Sequence, residues 1–312
     1  MTVDENVMDA QEKIGFQLRS LYHAHGYSRY RMSKFEEYDL YSRNKDFLFS
    51  DAVITFTDTN GRLMALKPDV TLSIIKNGKD SPGTLRKLYY HENVYRVSGA
   101  EDGFREQTQV GLECMGAVDE ACVSEVLRLA AESLKLCSEA FVLEVSHLGI
   151  LAAMVDAIAP NGKVRDALLH CAGEKNLHGV TDVCRESGVA EGAEEPLKQL
   201  LRLYGAPKAV LPKIRALAEE NGVGDLAAEL SRAVAGFAGT EEENRIQIDF
   251  SAACDLKYYN GIAFKGFLSG IPESVLSGGQ YDSLMRRMGR KDRAIGFAVF
   301  LNRLERLTAE NR

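Results

Sequence analysis

Six cysteines are spread over 312 residues without a single C-x-x-C pair: Cys114, Cys122, Cys137, Cys171, Cys184 and Cys254. Each sits in a core-like segment, so neither a disulfide framework nor a thiolate zinc site is expected. The opening stretch, MTVDENVMDAQEK, is acidic and lacks the basic and apolar regions of a secretory signal. No run approaches the about 18 apolar residues needed to span a membrane. A cytoplasmic chain with reduced thiols is therefore expected. Positive charge is in deficit as well, with 38 Lys+Arg against 45 Asp+Glu and a net charge of −7. That argues against a broad nucleic-acid surface, which needs clustered Lys and Arg, while leaving a local basic groove open. There is no G-x-x-x-x-G-K-S/T for a P-loop and no G-x-S-x-G elbow. The histidines (His23, His25, His91, His147, His170 and His178) are scattered, with no metal-ligand spacing. Neither a metal nor a cofactor is expected.

What is present is an ordinary soluble composition, 45% hydrophobic and 27% charged. The length allows one large domain or two smaller ones at roughly 150 residues each. Residues 10–25 carry Ile14, Leu18, Leu21 and Tyr22 on one helical face, and Gly26 is a plausible stop. The stretch DAVITFTDTNGRLMALKPDVTLSII reads as a hairpin turning at Asn60-Gly61 and leading into a helix near Thr71. KLYYHENVYRV and FREQTQVGLECMGA form a second strand pair, joined by the polar loop SGAEDG. A capped helix over 119–139 follows, then the buried strand FVLEVSHL. From about 152 to 236 strand runs disappear, and Ala, Leu, Glu, Lys and Arg predict a separate helical insertion. Strand signal returns at RIQIDFSAA and YYNGIAFKGFL, with a double-glycine turn expected at SGGQYDSL. AIGFAVFLNRL is a strand passing into a helix. Strands and helices do not alternate strictly, so an α+β fold, an antiparallel sheet with helices packed on it, is favoured over a doubly wound one.

Four segments carry chemistry. LKPDVT sets Lys67 and Asp69 where a strand hands over to a helix; Asp69 is either a helix cap or a partner for an ammonium group. EQTQVGLE puts Gln107, Gln109, Gly111 and Glu113 on alternate positions, hence on one face of a strand. That face is either solvated or the floor of a ligand site. YYNGIAFKGF offers Tyr258 and Tyr259, and SGGQYDSL offers Tyr281 and Asp282; tyrosine pairs alone most often belong to a half-buried core.

In this order the segments resemble histidyl-tRNA synthetase, a class II synthetase family with an antiparallel catalytic sheet. TFTDTNGRLMALKPDVT is similar to a strand-turn-strand ending in L-R-P-E-G-T, and VYRVSGAEDGFREQTQVGLE to motif 2. DLKYYNGIAF resembles R-G-L-D-Y-Y-N/T-G-x-x-F, GGQYDSL resembles G-G-R-Y-D-x-L, and AIGFAVFLNRL resembles motif 3, G-F-A-x-G-x-E-R-L. The resemblance implies a class II synthetase-like domain over 1–151 and 237–312, split by the helical insertion at 152–236. It also implies a histidine pocket built from Asp69, Thr71, Gln109, Glu113, Tyr258, Tyr259, Tyr281 and Asp282. Arg96, Arg105 and Arg303 would be anion-binding candidates, or else structurally paired.

The departures from the family pattern bear on function. Cys254 stands where the synthetases have the arginine that activates the histidine carboxylate, and the acidic and basic residues after the first motif 2 arginine are replaced around Val97–Gly99. Phe300 replaces the motif 3 glycine that leaves room for adenine, and Asn302 replaces the acid before Arg303. Each lost preorganised donor is worth about 3 kcal/mol of transition-state stabilisation, so adenylation is not expected and no residue is assigned a catalytic role. Asp69 is one methylene shorter than the family's Glu, and Val70 replaces its glycine. No anticodon-binding domain and no tRNA partner are expected. This combination is similar to the regulatory subunits of ATP phosphoribosyltransferase. The similarity implies a short catalytic subunit as partner, free histidine as feedback effector, and class II-type dimers within a hetero-octamer that catalyses the first step of histidine biosynthesis. Histidine would sit in the synthetase-like pocket or between subunits. The alternatives are a truncated synthetase-like enzyme that forms an aminoacyl adenylate, and a paralogue that modifies a protein or senses amino acids with another partner.

Overall fold

The computed structural model of the chain describes residues 7–48, 52–79, 83–97, 103–159, 162–251 and 258–305. The N-terminal helix α1 (Ala10–Ala24) starts at a reciprocal cap. Asp9 accepts the Glu12 backbone N–H at 2.8 Å, and the Glu12 carboxylate accepts that of Asp9 at 2.9 Å. Gly26, at φ +81°, supplies the left-handed residue that lets the chain leave. Leu18 and Tyr22 point inward, and Tyr22 shares a 3.0 Å hydrogen bond with Ser133 on α4 (Glu120–Cys137). Asp119 caps α4 by accepting the Cys122 N–H at 2.8 Å.

The two helices pack on a sheet that contains, among the described residues, eight strands. Inside one edge lies the hairpin β5 (Leu85–Val97) and β6 (Phe104–Gly116), followed by β11 (Arg293–Phe300), β10 (Leu276–Gln280), β9 (Ile262–Leu268) and β7 (Phe141–His147). All of these pair antiparallel. Only the short edge strands β1 (Ser28–Arg29) and β8 (Ile246–Ile248) pair parallel, with β5 and β7. A smaller antiparallel sheet joins β2 (Phe35–Glu37), β4 (Leu63–Leu66) and β3 (Thr55–Thr57), and its β3–β4 turn carries Gly61 at φ +78°. The helices α2 (Tyr38–Ser42) and α3 (Thr71–Asn77) flank it, and α3 starts where the sequence predicts.

One expectation fails here. SGGQ is not a turn: Gly278 and Gly279 lie in the middle of β10, and α11 (Asp282–Arg287) follows directly after Tyr281. The glycines answer to crowding. A Cβ at Gly278 would come within 2.6 Å of the Phe264 ring, and one at Gly279 within 2.9 Å of the Tyr259 ring. Glycine is used because the neighbouring chains approach too closely for a side chain, not because the backbone turns.

Between β7 and β8 run α5 (Leu148–Ile158), α6 (Gly162–Gly173), α7 (Leu177–Glu186), α8 (Glu195–Arg202), α9 (Pro207–Glu220) and α10 (Gly224–Val234). Their buried residues, Leu168, Val180, Leu200, Ile214 and Leu230 among them, join one continuous hydrophobic core with the sheet. The five described cysteines are free thiols, and Cys254 lies outside the described residues. No described helix is long and apolar enough to cross a membrane.

Candidate functional site

The face of the large sheet opposite α1 and α4 holds a narrow cleft. Its walls come from four parts of the chain. LKPDVT delivers Asp69 and Thr71 at the start of α3, β6 delivers Gln109 and Glu113, the segment before β9 delivers Tyr258 and Tyr259, and the end of β10 delivers Tyr281. Asp69 accepts the Leu72 backbone N–H at 2.8 Å. It therefore acts as a helix cap while also lining the cleft, so its two sequence-level readings hold together.

Glu113 is the deep polar group. One carboxylate oxygen accepts the Thr71 hydroxyl at 2.7 Å and the other accepts the Tyr281 hydroxyl at 2.6 Å. Burial disfavours its charge and pushes the carboxyl up to about 8; the two hydroxyl donors oppose that rise, and nearby Asp69 adds to it. Asp69 is likewise raised by burial, against the pull of the Leu72 N–H, the Arg96 guanidinium, the Thr71 N–H and the Tyr258 hydroxyl. Arg96 also lines the cleft. Burial lowers its pKa, and Asp69 partly restores it. The phenols of Tyr258 and Tyr281 are pushed well above their usual value by burial, so they stay protonated and act as donors. Their rings pack edge-on, 6.2 Å between centroids, with Tyr259 4.9 Å from Tyr258.

The floor is set by the register of β6 against β11. Gly296 pairs with Glu113, Ala298 with Gly111 and Phe300 with Gln109. A Cβ at Gly296 would overlap the Glu113 carboxylate, and one at Gly111 would overlap the Tyr90 hydroxyl. Both glycines are required by the space the polar groups occupy. The cleft thus presents an acid next to a guanidinium, and a second acid beside an amide and hydroxyls. That set suits a small zwitterion with a further hydrogen-bonding group.

Of the residues expected from sequence, Asp69, Thr71, Arg96, Gln109, Glu113, Tyr258, Tyr259 and Tyr281 meet in this cleft. Three others lie elsewhere. Asp282 is buried, but its carboxylate accepts the Ala294 N–H at 2.8 Å and the Arg293 Nε–H at 3.2 Å, tying α11 to β11. Arg105 sits opposite Arg96 in the hairpin register with its side chain exposed. Arg303 stacks on the Phe300 ring, 4.4 Å from its centroid, and donates to the Ser274 carbonyl. Asn302 accepts the Thr108 N–H at 2.5 Å, joining the end of β11 to β6. Among the positions noted as departures, Cys254, Ser98 and Gly99 fall outside the described residues. Tyr90, Ser277, Gly296 and Ala298 line the cleft without having been singled out. The small residues alternating through AIGFAVF were the available signal for the last two.

The histidyl-tRNA synthetase family model matches residues 3–304. A curated relative from Oceanobacillus iheyensis, described as an ATP phosphoribosyltransferase regulatory subunit, is 24% identical across 92% of this chain and 71% of its own length. The structure of an ATP phosphoribosyltransferase regulatory subunit/histidyl-tRNA synthetase from Bacillus halodurans superposes with a TM-score of 0.83, at 24% identity over 95% of this chain and 79% of that one. A chain of the ATP phosphoribosyl transferase (HisG:HisZ) complex from Thermotoga maritima gives a TM-score of 0.71 at 19% identity, covering 94% of this chain and 98% of that one. These solved structures share the fold.

Proposed function

Since the chain belongs to the histidyl-tRNA synthetase family, we propose that it works as the regulatory subunit of an ATP phosphoribosyltransferase, acting with a short catalytic subunit at the first step of L-histidine biosynthesis. The observation that carries this reading is the state of the cleft. Its candidate ligand-holding groups Asp69, Gln109 and Glu113 are buried and Arg96 lines the cleft beside them, while the Phe300 side chain lines it at the Gln109 end. Such a cleft holds a small molecule without room for a second large reactant. The relatives described as regulatory subunits support the same conclusion.

On this reading free histidine is the effector. Its ammonium meets Asp69, its carboxylate meets Arg96, and its imidazole reaches Glu113. Histidine acts as a feedback inhibitor only if it binds the inhibited and active assemblies with different affinities. The chain does no aminoacylation, takes no tRNA, and assembles in the cytoplasm as dimers within a hetero-octamer. The test is to mix the chain with a short-form catalytic subunit and follow phosphoribosyl-ATP formation with and without histidine. Activation by the chain, reversed by histidine, is expected. No activation refutes the proposal, and histidine-dependent pyrophosphate–ATP exchange by the chain alone would favour an adenylate-forming enzyme instead.

A further inference from the structure

The cleft floor along β11 rises in steps. Gly296, Ala298 and Phe300 occupy alternate positions and line the cleft, so they face it together. From Gly296, under the Glu113 carboxylate, to Phe300, beside Gln109, is four residues, about 13 Å at roughly 3.3 Å each. Side-chain size grows from nothing to a methyl group to a benzyl group in that direction, so the cleft is deep at the Glu113 end and obstructed at the other.

The obstruction is held in place. Phe300 is 8% exposed, and the Arg303 guanidinium stacks 4.4 Å from its ring centroid. That guanidinium is itself anchored by donating to the Ser274 carbonyl, just before β10. Asn302, between the two, accepts the Thr108 N–H. A ring held by a stacked, anchored cation cannot swing away cheaply. Arg96 lines the cleft and feels the charge of Arg303, so both guanidinium groups lie toward this end. The anionic end of a bound zwitterion therefore points toward Phe300.

We propose that Phe300, clamped by Arg303, sets the length of ligand the cleft accepts: a free amino acid fits, and one extended through its carboxylate does not. The inference rests on reading the cleft as an amino-acid pocket, and its test separates the two ideas. Calorimetric titration of the full chain would compare L-histidine, its methyl ester and its benzyl ester. The esters both lack the carboxylate charge and differ only in length. The unmodified chain should bind the benzyl ester at least about tenfold more weakly than the methyl ester, the consequence of forcing a group into a filled site. Phe300→Ala should bring the two esters within about threefold of each other. Arg303→Gln, which keeps the ring but releases it, should narrow the gap part of the way, and it decides the matter if Phe300→Ala does not fold. Equal binding of both esters by the unmodified chain overturns the length gate, as does an unchanged ratio in the folded variants. Failure of the unmodified chain to bind L-histidine itself refutes the amino-acid pocket instead.

Discussion

Glu113 carries a carboxyl buried between two hydroxyl donors, and the balance at that residue has a pH signature. Its folded-state pKa lies near 8 against an ordinary 4.5. Between those values the folded chain holds a proton that the unfolded chain has lost. The stability this contributes is fully present below pH 4.5 and is lost as pH rises through about 8. Glu113→Gln removes the titration and should flatten the fall in melting temperature between pH 5 and pH 8. A variant as steep as the unmodified chain would place the dependence on other groups. The alternation in EQTQVGLE was enough to put Gln109 and Glu113 on one face of β6. It said nothing of what met them there. Tyr281 reaches Glu113 from 168 residues away, a separation no local pattern reports.

At the level of elements, the hairpins and capped helices follow from short-range signals. Asp9 and Asp119 cap α1 and α4, the Asn60-Gly61 turn joins β3 to β4, and period-two patterning marks β5 and β6. β10 is the element whose sequence misleads. Two adjacent glycines ordinarily signal a turn, yet Gly278 and Gly279 are strand residues that let β9 and β11 approach. Gly278→Ala should therefore act as overpacking, because its Cβ would press on the Phe264 ring. A loss of about 2 kcal/mol or more is expected from the urea midpoint. A neutral effect would mean the strands can separate at little cost.

Across the whole molecule, the six helices between β7 and β8 are continuous with the sheet core. α10 packs on α4 and β7, and α9 on β8. Arg232 of α10 pairs with Glu120 of α4 at 2.7 Å. Residues 152–236, proposed from composition as an insertion, should thus unfold together with the rest. Calorimetry is expected to show one cooperative transition, whereas two resolved transitions would establish an independently folding unit. The shared core also fits the proposed role, since contiguous packing gives a route along which a filled cleft can bias a partner surface between two arrangements.

By itself the sequence determined the type of most strand and helix segments, β10 excepted, and that acids, amides and tyrosines recur at the family's positions. Those features depend on backbone period and on caps, which are decided within a few residues. Tertiary structure alone decided which of those side chains share one cleft. It sent Asp282 to bind β11, turned Arg303 into a clamp on Phe300, and used Gly296 to make room for Glu113. Each of those outcomes depends on close approach between segments far apart in the chain, where packing leaves space for one arrangement and no other.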